Sequence, residues 1–137
     1  MFTFEEILTA SADIDKIWKL YSNVSKWTEW NEAINSVELD GPFESGVTGS
    51  IQVLIAPPLG FHLENVESGE RFDIVAELGE LKVVMRQHAC ADGHGKCTLK
   101  HSLEISGGND AMINTIGDML SANIPESMWR LVQLAQN

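Results

Sequence analysis

The most constraining feature of the sequence is the distance over which apolar residues recur at every second position. Residues 96–106 are the cleanest stretch: Cys97, Leu99, His101, Leu103 and Ile105 share one face, and Thr98, Lys100, Ser102 and Glu104 the other. Such alternation describes a strand with one buried face. Upstream the pattern returns in Ile34–Leu39, in Val47, Ile51, Val53 and Ile55 (Leu54 interrupts the polar side), in Phe61 and Leu63, in Arg71–Leu78 and in Leu81–Ala91. Turn residues separate these runs: Asp40-Gly41-Pro42, Pro57-Pro58, Glu67-Ser68-Gly69-Glu70, Gly79-Glu80 and Asp92-Gly93-His94-Gly95. Strands joined by links this short run antiparallel, because a parallel neighbour needs a crossover of a dozen or more residues.

The period changes on both flanks. Phe2–Ala10 reads as a further strand, with Phe4, Ile7 and Leu8 apolar. Ser11 or Asp13 then offers an N-cap, and Ile14, Ile17, Trp18 and Tyr21 lie on one face of a short helix that Ser22-Asn23 interrupts. Residues 24–33 hold a second short helical piece carrying Trp27 and Trp30. Beyond Gly107-Gly108, Asn109 or Asp110 can cap a long helix whose apolar positions include Met112, Ile113, Ile116, Met119, Leu120, Ile124, Met128 and Leu131. Pro125 is expected to kink this helix or split it near Asn123. The chain thus reads as α+β: a seven-stranded, curved antiparallel sheet that buries its apolar face against a long C-terminal helix, with two short helices after the first strand. With 137 residues it is expected to form a single domain.

Composition narrows the partners. Nine Lys+Arg against twenty Asp+Glu leave a net charge of −11, which repels nucleic-acid backbones and anionic membrane surfaces. No apolar run approaches the ~20 residues of a membrane span, and the N-terminus lacks the features of a signal peptide. Two cysteines, Cys90 and Cys97, make no disulfide framework, so a cytoplasmic protein with reduced thiols is expected.

Several segments resemble the START-like (SRPBCC) superfamily, and within it the polyketide cyclase/dehydrase and lipid transport family. Ala10-Ser11-Ala12-Asp13-Ile14-Asp15-Lys16-Ile17-Trp18, followed by Trp27-Thr28-Glu29-Trp30-Asn31, looks like the family's opening. Leu39-Asp40-Gly41-Pro42-Phe43 with Gly46 and Gly49 is similar to its second hairpin, and the stretch 95–107 to its last strand and following glycine. The resemblance covers essentially residues 1–137. It implies a helix-grip fold, in which the sheet grips the long helix over an apolar cavity. It implies no catalytic signature common to all members, which include cyclases, hydrolases, lipid carriers and hormone receptors.

Candidate chemistry centres on the last hairpin. If Ala91 stands opposite Lys96, then Cys90 faces Cys97, His88 faces Leu99 and Arg86 faces His101, so that Arg86, His88 and His101 point inward beside Leu99. Ionisable groups on an apolar face cost several kcal/mol unless partnered, so these three are expected to orient a ligand's carboxylate, phenolate or enolate. A one-residue slip would turn Arg86 and His88 outward. Tyr21, Trp27 and Trp30 are expected at the ligand as amphipathic aromatics, with Met112, Ile116, Met119 and Leu120 facing it from the helix. Trp18 is expected to pack against that helix, and Trp129 in the core or at the cavity mouth. No metal motif appears among the four histidines, and the glycines follow no phosphate-binding spacing, so no cofactor is expected. The thiols of Cys90 and Cys97 are expected to be buried, reduced and close together. The acidic run 64–80 is expected to be a solvated face.

The expected function is binding of a small hydrophobic, aromatic or lipid-like molecule, by a monomer or homodimer with no nucleic-acid partner and no membrane insertion. The alternative is a cyclase, dehydratase or hydrolase using His101 or His88 as acid/base and Arg86 at an oxyanion.

Overall fold

A computed structural model describes residues 1–53 and 58–137. The elements are β1 (Phe2–Ala10), α1 (Ile14–Ser22), a single 3-10 turn (Val24–Lys26), α2 (Trp27–Trp30), β2 (Ile34–Leu39), β3 (Thr48–Val53), β4 (Leu59–Glu67), β5 (Arg71–Leu78), β6 (Leu81–Ala91), β7 (Cys97–Ser106) and α3 (Asp110–Ala135). The strands form one antiparallel sheet in the order β1-β7-β6-β5-β4-β3-β2. The expected continuation of β3 through Leu54, Ile55 and Pro57 lies outside the described residues.

Local chemistry sets the element ends. The Asp13 carboxylate accepts from the Asp15 amide at 2.8 Å and caps α1. Asn23 closes α1 by donating its amide to the Lys19 carbonyl, while its side chain accepts from Ser25 N at 3.2 Å to open the next turn. Asn109 caps α3 through the Met112 amide at 2.9 Å. α3 does not split at Pro125 but runs unbroken for 26 residues. The proline costs ~3 kcal/mol, yet Ile124, Met128 and Leu131 are buried around it, each contributing ~1.5–3 kcal/mol.

α3 packs on β1 and β7 and on the two short helices. Its C-terminal half is the anchored one, burying Ile124, Ser127, Met128, Leu131, Val132 and Ala135. The N-terminal half buries only Ile113 and Gly117. At the β7–α3 corner, Gly107 has φ +81° and a Cβ there would run into the Glu80 carbonyl. Gly107→Ala is therefore expected to destabilise the fold by at least ~2 kcal/mol, from positive-φ strain plus a backbone clash. Urea denaturation measures this, and a loss below ~0.5 kcal/mol would mean that the corner can re-form another way.

The β6–β7 register differs by one residue from the expectation. Ala91 stands opposite Cys97, and the connection spans residues 92–96. The cause is the Asp92 side chain, which accepts from both His94 N at 2.7 Å and Lys96 N at 3.2 Å and draws Lys96 into the turn. Positive φ at Gly93 and Gly95 makes this wrapping possible. The slip carries the side chains of β6 to opposite faces. Met85, Gln87 and Ala89 turn inward, while Arg86, His88 and Cys90 turn outward.

Candidate binding site

The concave face of the sheet carries a polar row within an apolar surface. Glu6 on β1 stands opposite His101 on β7, His101 opposite Gln87 on β6, and Gln87 opposite Phe72 on β5. Glu6 is half-buried in the same set as Phe4 and Leu8, whereas Gln87 and His101 are each 3% exposed. With its nitrogen turned to the two carbonyls, the Gln87 amide donates to Phe72 O at 3.2 Å and Met85 O at 3.3 Å.

α1 brings Tyr21 down onto this row. Its hydroxyl lies 2.7 Å from His101 Nε2, and both side chains are buried. Burial drops the imidazole to a pKa of about 3, so His101 is neutral at physiological pH. Burial also holds the Tyr21 phenol above its ordinary range, with a smaller push from Cys97. The pair is thus a neutral hydrogen bond, not an ion pair.

Aromatic rings enclose it. Ring centroids lie 5.2 Å apart for Tyr21 and Phe72, 6.1 Å for Tyr21 and Trp30, and 6.3 Å for Trp30 and His101. Trp27 stacks on Phe72 at 5.8 Å and touches Trp30, Phe43 and Phe61. The tryptophans are fixed by their polar ends: Trp27 Nε1 donates to Tyr21 O at 2.8 Å and Trp30 Nε1 to Leu20 O at 3.3 Å. Trp18 and Phe43 are only half-buried, 5.9 Å apart, and close one side of the shell.

Of the residues expected at a ligand, Tyr21, Trp27, Trp30, Leu99 and His101 come together here. Trp27 and Trp30 sit in the packed interior. Arg86 and His88 do not join them. Arg86 lies on the outer face with Nη1 2.9 Å from Glu104 Oε2, and His88 stands exposed between Arg71 and Lys100 in the register. Ile116 and Leu120 pack against the core from α3, but Met112 and Met119 on that helix are exposed. Trp129 is exposed, and Trp18 makes ring contacts with Tyr21, Phe43 and Phe72. Cys97 is buried and Cys90 exposed, on opposite faces and both free, so the two thiols are not the buried pair expected. Asp73, expected on a solvated face, is 2% exposed. Asn65 Nδ2 donates to it at 2.8 Å, and Arg71 and Arg86 flank it at 3.5 and 3.8 Å.

A seven-stranded antiparallel sheet packed on a long C-terminal helix, with short helices after the first strand, is the helix-grip fold of START-like proteins. No protein-family model and no curated protein matches the chain. Solved structures do. A hypothetical protein from Helicobacter pylori superposes with a TM-score of 0.80 at 10% identity, covering 98% of this chain and 88% of that one. A START superfamily protein from Mycobacterium smegmatis gives 0.76 at 11% identity, with 96% and 97% covered. Norcoclaurine synthase from Thalictrum flavum, in complex with dopamine and hydroxybenzaldehyde, gives 0.72 at 14% identity, with 97% and 85% covered. At these identities the likeness is one of fold.

Proposed function

We propose that this protein binds a small, mostly apolar guest with an aromatic or lipid-like body and one polar group, between the concave face of the sheet and the helices. The observation that carries this reading is the buried Tyr21–His101 hydrogen bond at the centre of the ring shell. A core built only for stability gains little from such a pair, since replacing both partners by apolar groups of similar shape is nearly neutral or stabilising. An apolar site with a few convergent polar groups is instead the usual make-up of a small-molecule pocket. Tyr21 and His101 supply hydroxyl and imidazole for the guest's polar group. The half-buried pair Trp18 and Phe43 is the part of the shell open to solvent, and so the side from which such a guest enters. The aromatic ligands named for the norcoclaurine synthase structure support an aromatic guest on this fold.

The alternative of a cyclase, dehydratase or hydrolase has lost Arg86 and His88 from the interior. General acid–base work near pH 7 calls for groups that titrate near 7. Burial moves the His101 imidazole to about 3 and the Tyr21 phenol upward, which suits holding a hydrogen bond better than moving a proton.

The test is native mass spectrometry of protein purified without denaturant, followed by saturation-transfer NMR with 4-hydroxybenzaldehyde and dopamine as probes. A co-purifying guest, or probe binding that weakens roughly tenfold in Tyr21→Phe through loss of one hydrogen bond, is expected. No guest and no probe binding, or equal binding by Tyr21→Phe and His101→Phe, would overturn the reading.

A further inference from the structure

A concavity lies outside the sheet–helix interior. It is an open groove of about 510 Å³ where α1 and the 3-10 turn meet the end of α3, lined by Lys16, Lys19 and Lys26 around Leu20 and Leu134. Three of the nine Lys+Arg of a chain carrying −11 are gathered here. Lys26 is held by Glu29 at 3.1 Å. Among the described residues, no ion pair engages Lys16 or Lys19, which stand one turn apart on α1. Like charges at this spacing repel, and an anion seated between them relieves that repulsion. The leucines are half-buried and offer an apolar floor beneath the ammonium groups. The volume falls in the range of single-molecule sites, ~300–1,000 Å³.

We propose that this groove binds a single-chain amphiphilic anion, its head group bridging Lys16 and Lys19 and its apolar stem lying on Leu20 and Leu134. Carboxylate and phosphomonoester heads share the required chemistry. The site is independent of the guest held under the sheet. The opposing reading is that the lysines only complement the carbonyl ends of α1 and α3.

The full chain should be titrated at low salt with decanoate, decyl phosphate, decyltrimethylammonium and inorganic phosphate, following backbone amide shifts by NMR. The two anionic amphiphiles are expected to shift Lys16, Lys19, Leu20 and Leu134, and to bind roughly tenfold more weakly in the double variant Lys16→Gln/Lys19→Gln, as two charge-assisted contacts are lost. Whichever anion binds more tightly identifies the preferred head group. Equal binding by the ammonium amphiphile, by the double variant or by inorganic phosphate alone would overturn the proposal. So would shifts confined to Tyr21, Trp30 and His101, which would at the same time support the interior site. Because Lys16 and Lys19 are exposed, the double variant is expected to fold as the parent does, with an unchanged thermal midpoint.

Discussion

Trp27→Ala is expected to destabilise the protein by about 3–5 kcal/mol, the range for deleting a buried indole, and thereby to consume a large fraction of a domain's usual 5–15 kcal/mol. Trp27 is fully buried and touches Trp30, Phe43, Phe61 and Phe72. These rings belong to α2, the β2–β3 connection, β4 and β5, so one side chain ties four separate parts of the chain. The substitution also removes the donor to the Tyr21 carbonyl, which loosens the α1 segment that positions the Tyr21 hydroxyl. The result should appear as a lowered urea midpoint and a weakened near-ultraviolet dichroism signal. Trp129→Ala is the control: its ring is 54% exposed, and a change within ~0.5 kcal/mol is expected. If both substitutions cost the same, the ring shell does not organise the interior.

What the sequence makes legible depends on whether the information is local. Strand ends such as those of β1, β5 and β6 follow from alternation and turn residues, and α1 and α3 from caps next to apolar stripes; each signal lies within a few residues of its consequence. His101 was legible as an inward group because the alternation in β7 is unbroken. The ring shell was not, since Phe43, Phe61 and Phe72 meet Trp27 only after the sheet curls, and nothing near them in the sequence records it. Arg86 and His88 are an instructive case between the two. The hairpin composition implied a four-residue turn that turned them inward, but Asp92 captures two amides and lengthens the turn. The alternation within β6 itself, Leu81, Val83, Met85 and Ala89 against Lys82, Arg86 and His88, already pointed the other way. A strand's own pattern, reinforced by burial at every step, outweighs a register inferred from its turn. The same holds for Pro125, where one lost backbone donor competes with several buried side chains and loses.

Stability is expected to fall with acid well above the range in which carboxylates titrate, because of His101. Its folded pKa of about 3 lies below the ordinary value of 6.5. A histidine with a depressed folded pKa leaves the unfolded chain binding the extra proton, so its contribution is fully present above pH 6.5 and declines as pH falls toward 3. The slope between the two values is ~1.4 kcal/mol per pH unit, which amounts to ~2–3 kcal/mol between pH 6.5 and 4.5 and ~4 kcal/mol by pH 3. The groups facing the ring are Tyr21 from α1, Gln87 from β6 and Glu6 across on β1; burial is what sets the direction of the shift. Tyr21 gives the mirror image: its folded pKa is raised, so stability should also decline above pH ~10, where the unfolded phenol ionises. Urea midpoints measured every half unit from pH 7 to 4.5 for the parent and for His101→Phe would isolate the acid limb. The parent should lose ~2–3 kcal/mol more than the variant over that window, even if the variant starts from lower stability. Parallel curves would mean that the imidazole takes up its proton inside the folded protein, and the closed ring shell around the Tyr21–His101 pair would then have to admit water.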